Sequence, residues 1–102
     1  MLKKARREKN FQKEFGIYLK QKRERLGLSQ SEVAHELGYS SPQFVSNFER
    51  GLCSLPLNKI KKLIDLYELK GEEVVELMLS LHETYLREEL NVKKRAKLKK
   101  HA

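Results

Sequence analysis

The stretch LGLSQSEVAHELGYSSPQFVSNFERG, residues 26–51, limits the fold more than any other part of the chain. Gly27, Gly38 and Gly51 cut it into two apolar-periodic segments, each of about two helical turns. Helices that short melt in isolation, because the first turn costs more than so few hydrogen bonds return. Ser29 followed by Glu32 reads as a capping box opening the first segment, whose apolar positions are Val33, Ala34 and Leu37. The second opens with Ser40 or Ser41 as cap and Pro42 at the first helical position, where a missing N–H costs nothing. Val45 and Phe48 form its apolar side, with Phe44 at the margin. Such a pair survives only when packed across Gly38 onto longer neighbours.

The neighbours are legible on either side. Phe11, Phe15, Leu19, Lys22/Arg23 and Leu26, flanked by Ile17 and Tyr18, recur at intervals of three and four, and Gly27 supplies the stop. A fourth helix follows Pro56 with Leu57, Ile60, Leu63, Ile64 and Tyr67, its cap falling on Ser54 or Leu55. A fifth runs from about Glu72 to Leu90. Only two prolines in 102 residues agree with an all-α chain, and that length suits one small domain with a single core. The expected division is a basic N-terminal arm (1–10), a helical unit (11–70), a C-terminal helix (71–92) and a basic disordered tail (93–102).

Charge is placed rather than spread. Lys3, Lys4, Arg6, Arg7, Lys9 and Lys13 against Glu8 give residues 1–13 a net +5, and six cations without an acid give residues 93–102 a net +6. The body between them is −3, with −5 concentrated in residues 71–92. Cationic ends bind polyanions by counterion release and choose no sequence, or simply keep the protein in solution. No apolar run approaches the ~18 residues of a membrane span, and no leader pattern is visible, so a cytoplasmic protein is expected. Cys53 is the single cysteine and has no partner for a disulfide or a metal. His82 and His101 lack an acidic or cysteine partner at catalytic or metal spacing, and His35 on the first short helix is read as exposed and idle. There is no nucleophile–base pair and no phosphate-cradling glycine loop, so neither catalysis nor a cofactor, metal or small-molecule ligand is expected.

The second short helix carries Ser41, Gln43 and Asn47 at its start or away from Val45 and Phe48. An α-helix fits the major groove of B-DNA, and Gln and Asn carry the donor and acceptor that match adenine's edge. The plain alternative is a solvated surface helix. LSQSEVAHELG…SPQFVSNFERG resembles the helix-turn-helix of the phage lambda repressor and Cro superfamily, the XRE type, over roughly residues 15–69. The resemblance implies a four- to five-helix lambda-repressor-like DNA-binding domain, here with an additional C-terminal helix and basic tails. It implies that Gln30 contacts a phosphate and braces the recognition helix. Val45, Ser46, Phe48, Glu49, Arg50 and Gly51 match the family's I-S-x-I/W-E-x-G run. By the same matching Glu49 pairs with a basic residue of helix one, here Arg23, and Ser41, Pro42, Gln43 and Asn47 face bases. Ser46 and Arg50 then fall near the DNA backbone. Lys59, beside Lys61 and Lys62, lies either against phosphates or on a solvated face, and is the one assigned to phosphate.

Helix five is too apolar for simple docking. Val74, Leu77, Met78, Leu81 and Tyr85 make one face, and Val75, Leu79, Leu86 and Leu90 make an adjoining one. A second exposed stripe calls for a partner, and a homodimer through Val75, Leu79, Leu86 and Leu90 is the economical account. The sequence therefore reads as a bacterial or phage transcriptional regulator, a repressor binding double-stranded DNA as a homodimer. Two other readings stay open: an antitoxin-type protein that holds a partner protein on helix five, and a general nucleic-acid binder using its tails.

Overall fold

The computed structural model describes residues 2–93 and contains five helices with no strand among them. They are α1 (Leu2–Arg25), α2 (Gln30–Leu37), α3 (Gln43–Glu49), α4 (Leu57–Leu66) and α5 (Gly71–Glu89). The tail from residue 94, with His101, lies outside the described residues. One departure from the sequence reading is at the start. The stretch 1–10 expected as an arm is helical from Leu2 and continuous with α1. Lys, Arg, Glu and Ala there are all strong helix formers with no Gly or Pro to interrupt them.

α1 packs against α3 and α5, and α2 packs against α3. One core joins Phe15 and Leu19 of α1, Val33, Ala34 and Leu37 of α2, Val45 and Phe48 of α3, Ile60 and Leu63 of α4, Tyr67, and Val74 of α5. The short helices are thus held by burial rather than by their own hydrogen bonds. Their ends are local. Ser29 Oγ accepts from the Glu32 N–H at 3.0 Å and Glu32 Oε1 accepts from the Ser29 N–H at 2.7 Å, completing the capping box. At α3 neither Ser40 nor Ser41 is the cap: Pro42, with helical dihedrals and no side-chain cap bond, takes that place, and the Ser41 Oγ just ahead accepts from the Gln43 N–H at 3.4 Å. At α4 neither Ser54 nor Leu55 is the cap. Pro56, extended at ψ 148°, takes that place with no side-chain cap bond.

All five helices finish alike. The N–H two residues past each last carbonyl-bearing turn reaches back five residues: Leu28 to Arg23, Tyr39 to Ala34, Leu52 to Asn47, Leu69 to Ile64 and Val92 to Arg87. This is the Schellman pattern, which needs a left-handed residue at its pivot. Gly27, Gly38 and Gly51 supply it for the first three, whereas Glu68 (φ 57°) and Asn91 (φ 58°) supply it for the others.

Gly16 and Gly51 have a second duty, namely close approach of backbones. A Cβ on Gly16 would stand 2.3 Å from the Phe48 carbonyl oxygen and 2.6 Å from that of Glu49. One on Gly51 would stand 2.6 Å from the Lys13 Cα. The C-terminal end of α3 therefore rests directly on the backbone of α1, which sets the direction in which α3 projects.

Candidate nucleic-acid interface

α3 buries one side and exposes the other. Val45, Phe48 and Glu49 are buried, Ser46 and Asn47 are half-buried, and Ser41, Pro42, Gln43 and Arg50 are exposed. The buried side includes a carboxylate, which an apolar core does not tolerate without partners. Arg23 supplies them: its Nε donates to Glu49 Oε2 at 2.6 Å and its Nη2 to Oε1 at 3.0 Å, a bidentate pair. The Arg23 Nη1 donates to the Leu28 carbonyl at 2.7 Å. The hydrogen bond to Glu49 is the main reason the guanidinium binds its proton still more tightly than usual. Gln30 Nε2 donates to Glu49 Oε1 at 2.9 Å. One carboxylate thereby ties α1 and α2 to the end of α3.

On the outer side the polar groups are linked to one another. Asn47 Oδ1 accepts from Gln43 Nε2 at 2.9 Å and from Arg50 Nη2 at 3.1 Å, and Arg50 Nε leans on the Ser46 carbonyl at 3.4 Å. Ser41 and Pro42 stand exposed just ahead of them. Of the residues singled out from the sequence, Ser41, Pro42, Gln43, Asn47 and Arg50 share one surface.

Lys59 makes its contacts within the chain. Its Nζ donates to the Leu37 carbonyl at 2.8 Å and lies 5.1 Å from the centre of the Tyr39 ring. It is half-buried, holding the C-terminal carbonyl end of α2, where a cation is favoured by the helix dipole. This differs from a fully solvated face. Tyr39 in turn packs on Phe44 with ring centroids 4.6 Å apart, and Phe44 on Phe48 at 5.7 Å, so the α2–α3 turn is pinned by aromatic contacts. Gly16 is the positioning residue that the sequence reading missed. The only available signal was a glycine inside an otherwise strong helical pattern.

Among the described residues no group of His, Cys, Asp and Glu could hold a metal ion, and no helix is long and apolar enough to cross a membrane. His35 is exposed, and His82 packs edge-on to Phe11 at 6.0 Å and stacks with Tyr85 at 5.9 Å.

Two short helices joined by a tight turn, the second braced from behind and polar in front, define a helix-turn-helix protein. A model of the helix-turn-helix domain family matches residues 14–77, from the middle of α1 into α5. The chain belongs to that family, in its XRE or lambda-repressor-like branch. No curated protein and no solved structure gives a match.

Proposed function

We propose that the protein is a sequence-specific DNA-binding transcriptional regulator, a repressor that reads the major groove with α3 as a homodimer. Membership of the helix-turn-helix family supports DNA binding in general. The observation that carries the finer reading is the outer face of α3. Gln43, Asn47 and Arg50 form a joined array of donors and acceptors, while the opposite side is clamped by Arg23, Gln30 and the core. Short amides on a rigid, outward helix suit base edges. Gln30 and Ser46 beside the array, and Arg50 at its end, serve adjacent phosphates. Ser41 and Pro42 meet bases at the helix start, Pro42 through apolar contact alone. The basic ends add affinity without sequence preference.

The homodimer rests on α5. Val74 is buried and Leu77, Met78 and Leu81 pack on the core, but Val75 is 49%, Leu79 64%, Leu86 42% and Leu90 69% exposed. A twofold pairing through that stripe presents two α3 helices to half-sites about 34 Å apart. The same stripe supports the second reading, an antitoxin-type protein that holds a different partner there.

Selection of bound duplexes from a random pool tests the function. A two-fold symmetric motif is expected, and Gln43→Ala should weaken its binding by about 1–3 kcal/mol while leaving unrelated duplexes unaffected. Equal binding of both proteins to every duplex would overturn base reading by α3. Purification with a stoichiometric second protein would move the weight to the antitoxin-type reading.

A further inference from the structure

The amide of Asn47 has only one orientation open to it, and the reason is Arg50. A guanidinium donates and never accepts, so the Asn47 atom 3.1 Å from Arg50 Nη2 is the amide oxygen. That orientation propagates. The Gln43 atom 2.9 Å from the same oxygen must donate, which makes it Nε2. Both lone-pair directions of Asn47 Oδ1 are then occupied by protein donors. What Asn47 can still offer outward is its Nδ2, with two N–H groups and no acceptor. Gln43, having given one N–H, keeps the other together with Oε1.

The two amides consequently ask for different bases. Adenine presents the N7 acceptor beside the N6 donor, and a glutamine with one N–H and one oxygen free complements both. A donor-only asparagine does not, because its N–H groups would face the N6 donor. It fits an edge of adjacent acceptors, and guanine's N7 and O6 are such an edge. We infer, building on base reading by α3, that Arg50 acts as a specificity-positioning residue: it locks the Asn47 amide as a donor, so that Asn47 selects guanine while Gln43 selects adenine. This assigns Arg50 a task beyond phosphate contact. It also distinguishes two amides that are otherwise interchangeable in their chemistry.

The test compares duplexes selected from a random pool by three full-length proteins: the unaltered chain, Asn47→Asp and Arg50→Met. Thermal midpoints are measured alongside. Aspartate keeps the acceptors that Gln43 and Arg50 use but has no N–H. The unaltered chain should enrich guanine at one position of each half-site. In Asn47→Asp that guanine preference should fall by about tenfold or more while the adenine preference stays. Arg50→Met keeps the side-chain stem but frees the amide to turn, so guanine and adenine should become nearly equal at that position while the neighbouring adenine column persists. Adenine at the position that responds to Asn47→Asp, or an unchanged column in Arg50→Met, would overturn the inference and leave base reading by α3 intact. Failure of the unaltered chain to enrich any motif would remove the underlying reading, and the inference with it.

Discussion

Gly16 carries a structural demand that its neighbours do not share. Its hydrogen faces the Phe48 and Glu49 carbonyl oxygens, and both are backbone atoms that cannot swing aside. Gly16→Ala is expected to lower stability by more than about 2 kcal/mol despite alanine's better helix propensity, whereas Gly71→Ala, with nothing within 4 Å, should be close to neutral. Urea denaturation of the two variants separates the outcomes. Tyr67 makes a different case. Its side chain is fully buried and its hydroxyl has no hydrogen-bond partner among the described residues. Burial, reinforced by the Glu49 carboxylate, pushes its pKa up, while Tyr18, desolvated and hydrogen-bonded to Glu73, rises to about 12. A phenol whose folded pKa is raised leaves stability unchanged with pH below the ordinary value of 10.0, and stability then falls as pH climbs from there through the folded value, because the unfolded chain releases the proton first. Tyr67→Phe should therefore be at least as stable near neutral pH, by up to about 1 kcal/mol, and should lose less stability than the unaltered protein between about pH 9 and about pH 11. Equal losses in the two proteins would count against the buried phenol as a source of alkaline instability.

At the scale of elements, the helices owe their ends to local chemistry and their persistence to one another. Three of the five Schellman endings use glycine, while Glu68 holds the same left-handed conformation at φ 57° with a Cβ attached. It is exposed, so nothing but local geometry is altered by replacing it. Glu68→Gly should raise stability by up to about 1 kcal/mol, the relief of left-handed strain exceeding the added entropy of the unfolded chain. A fall in the thermal midpoint would refute this. The Arg23–Glu49 pair works in the opposite direction, joining elements that would otherwise part. Glu49→Gln removes the charge facing a buried guanidinium and weakens the link among α1, α2 and α3. A loss of about 3–5 kcal/mol is expected from chemical denaturation.

For the whole molecule, the exposed stripe on α5 is the surface on which the proposed homodimer is tested. Val74 is buried in the core, and Tyr18 and Lys22 of α1 meet Glu73 at 3.0 and 3.9 Å, so α5 packs with its second stripe facing outward. Leu79→Glu together with Leu86→Glu should convert a dimer to a monomer in sedimentation while leaving the thermal transition of the monomeric unit in place. The double variant should also bind a single half-site about as well as before and the full site more weakly, because the two contacts are no longer linked. Identical sedimentation of the variant and the unaltered chain would exclude this stripe as the seam.

What the sequence determined by itself was the punctuation and the faces. The Ser29–Glu32 box, Pro42 at the start of α3, the glycine stops and the apolar intervals all act within a few residues, so a local pattern carries them completely. The pairing of Arg23 with Glu49 is legible only with the family resemblance, which supplies the pair, while the spacing back from Gly27 points to Arg23. Tertiary structure alone decided where those faces meet. Lys59, Lys61 and Lys62 look alike in the sequence, but packing brings only Lys59 to a carbonyl 22 residues away. Gly16 reads as a weak point of α1 until the end of α3 is laid across it. The Asn47 amide acquires a direction only when Arg50 and Gln43 converge on its oxygen. Helical periodicity tells which side of a rod is apolar, but the angle at which two rods cross is set by the side chains and close backbone contacts between them.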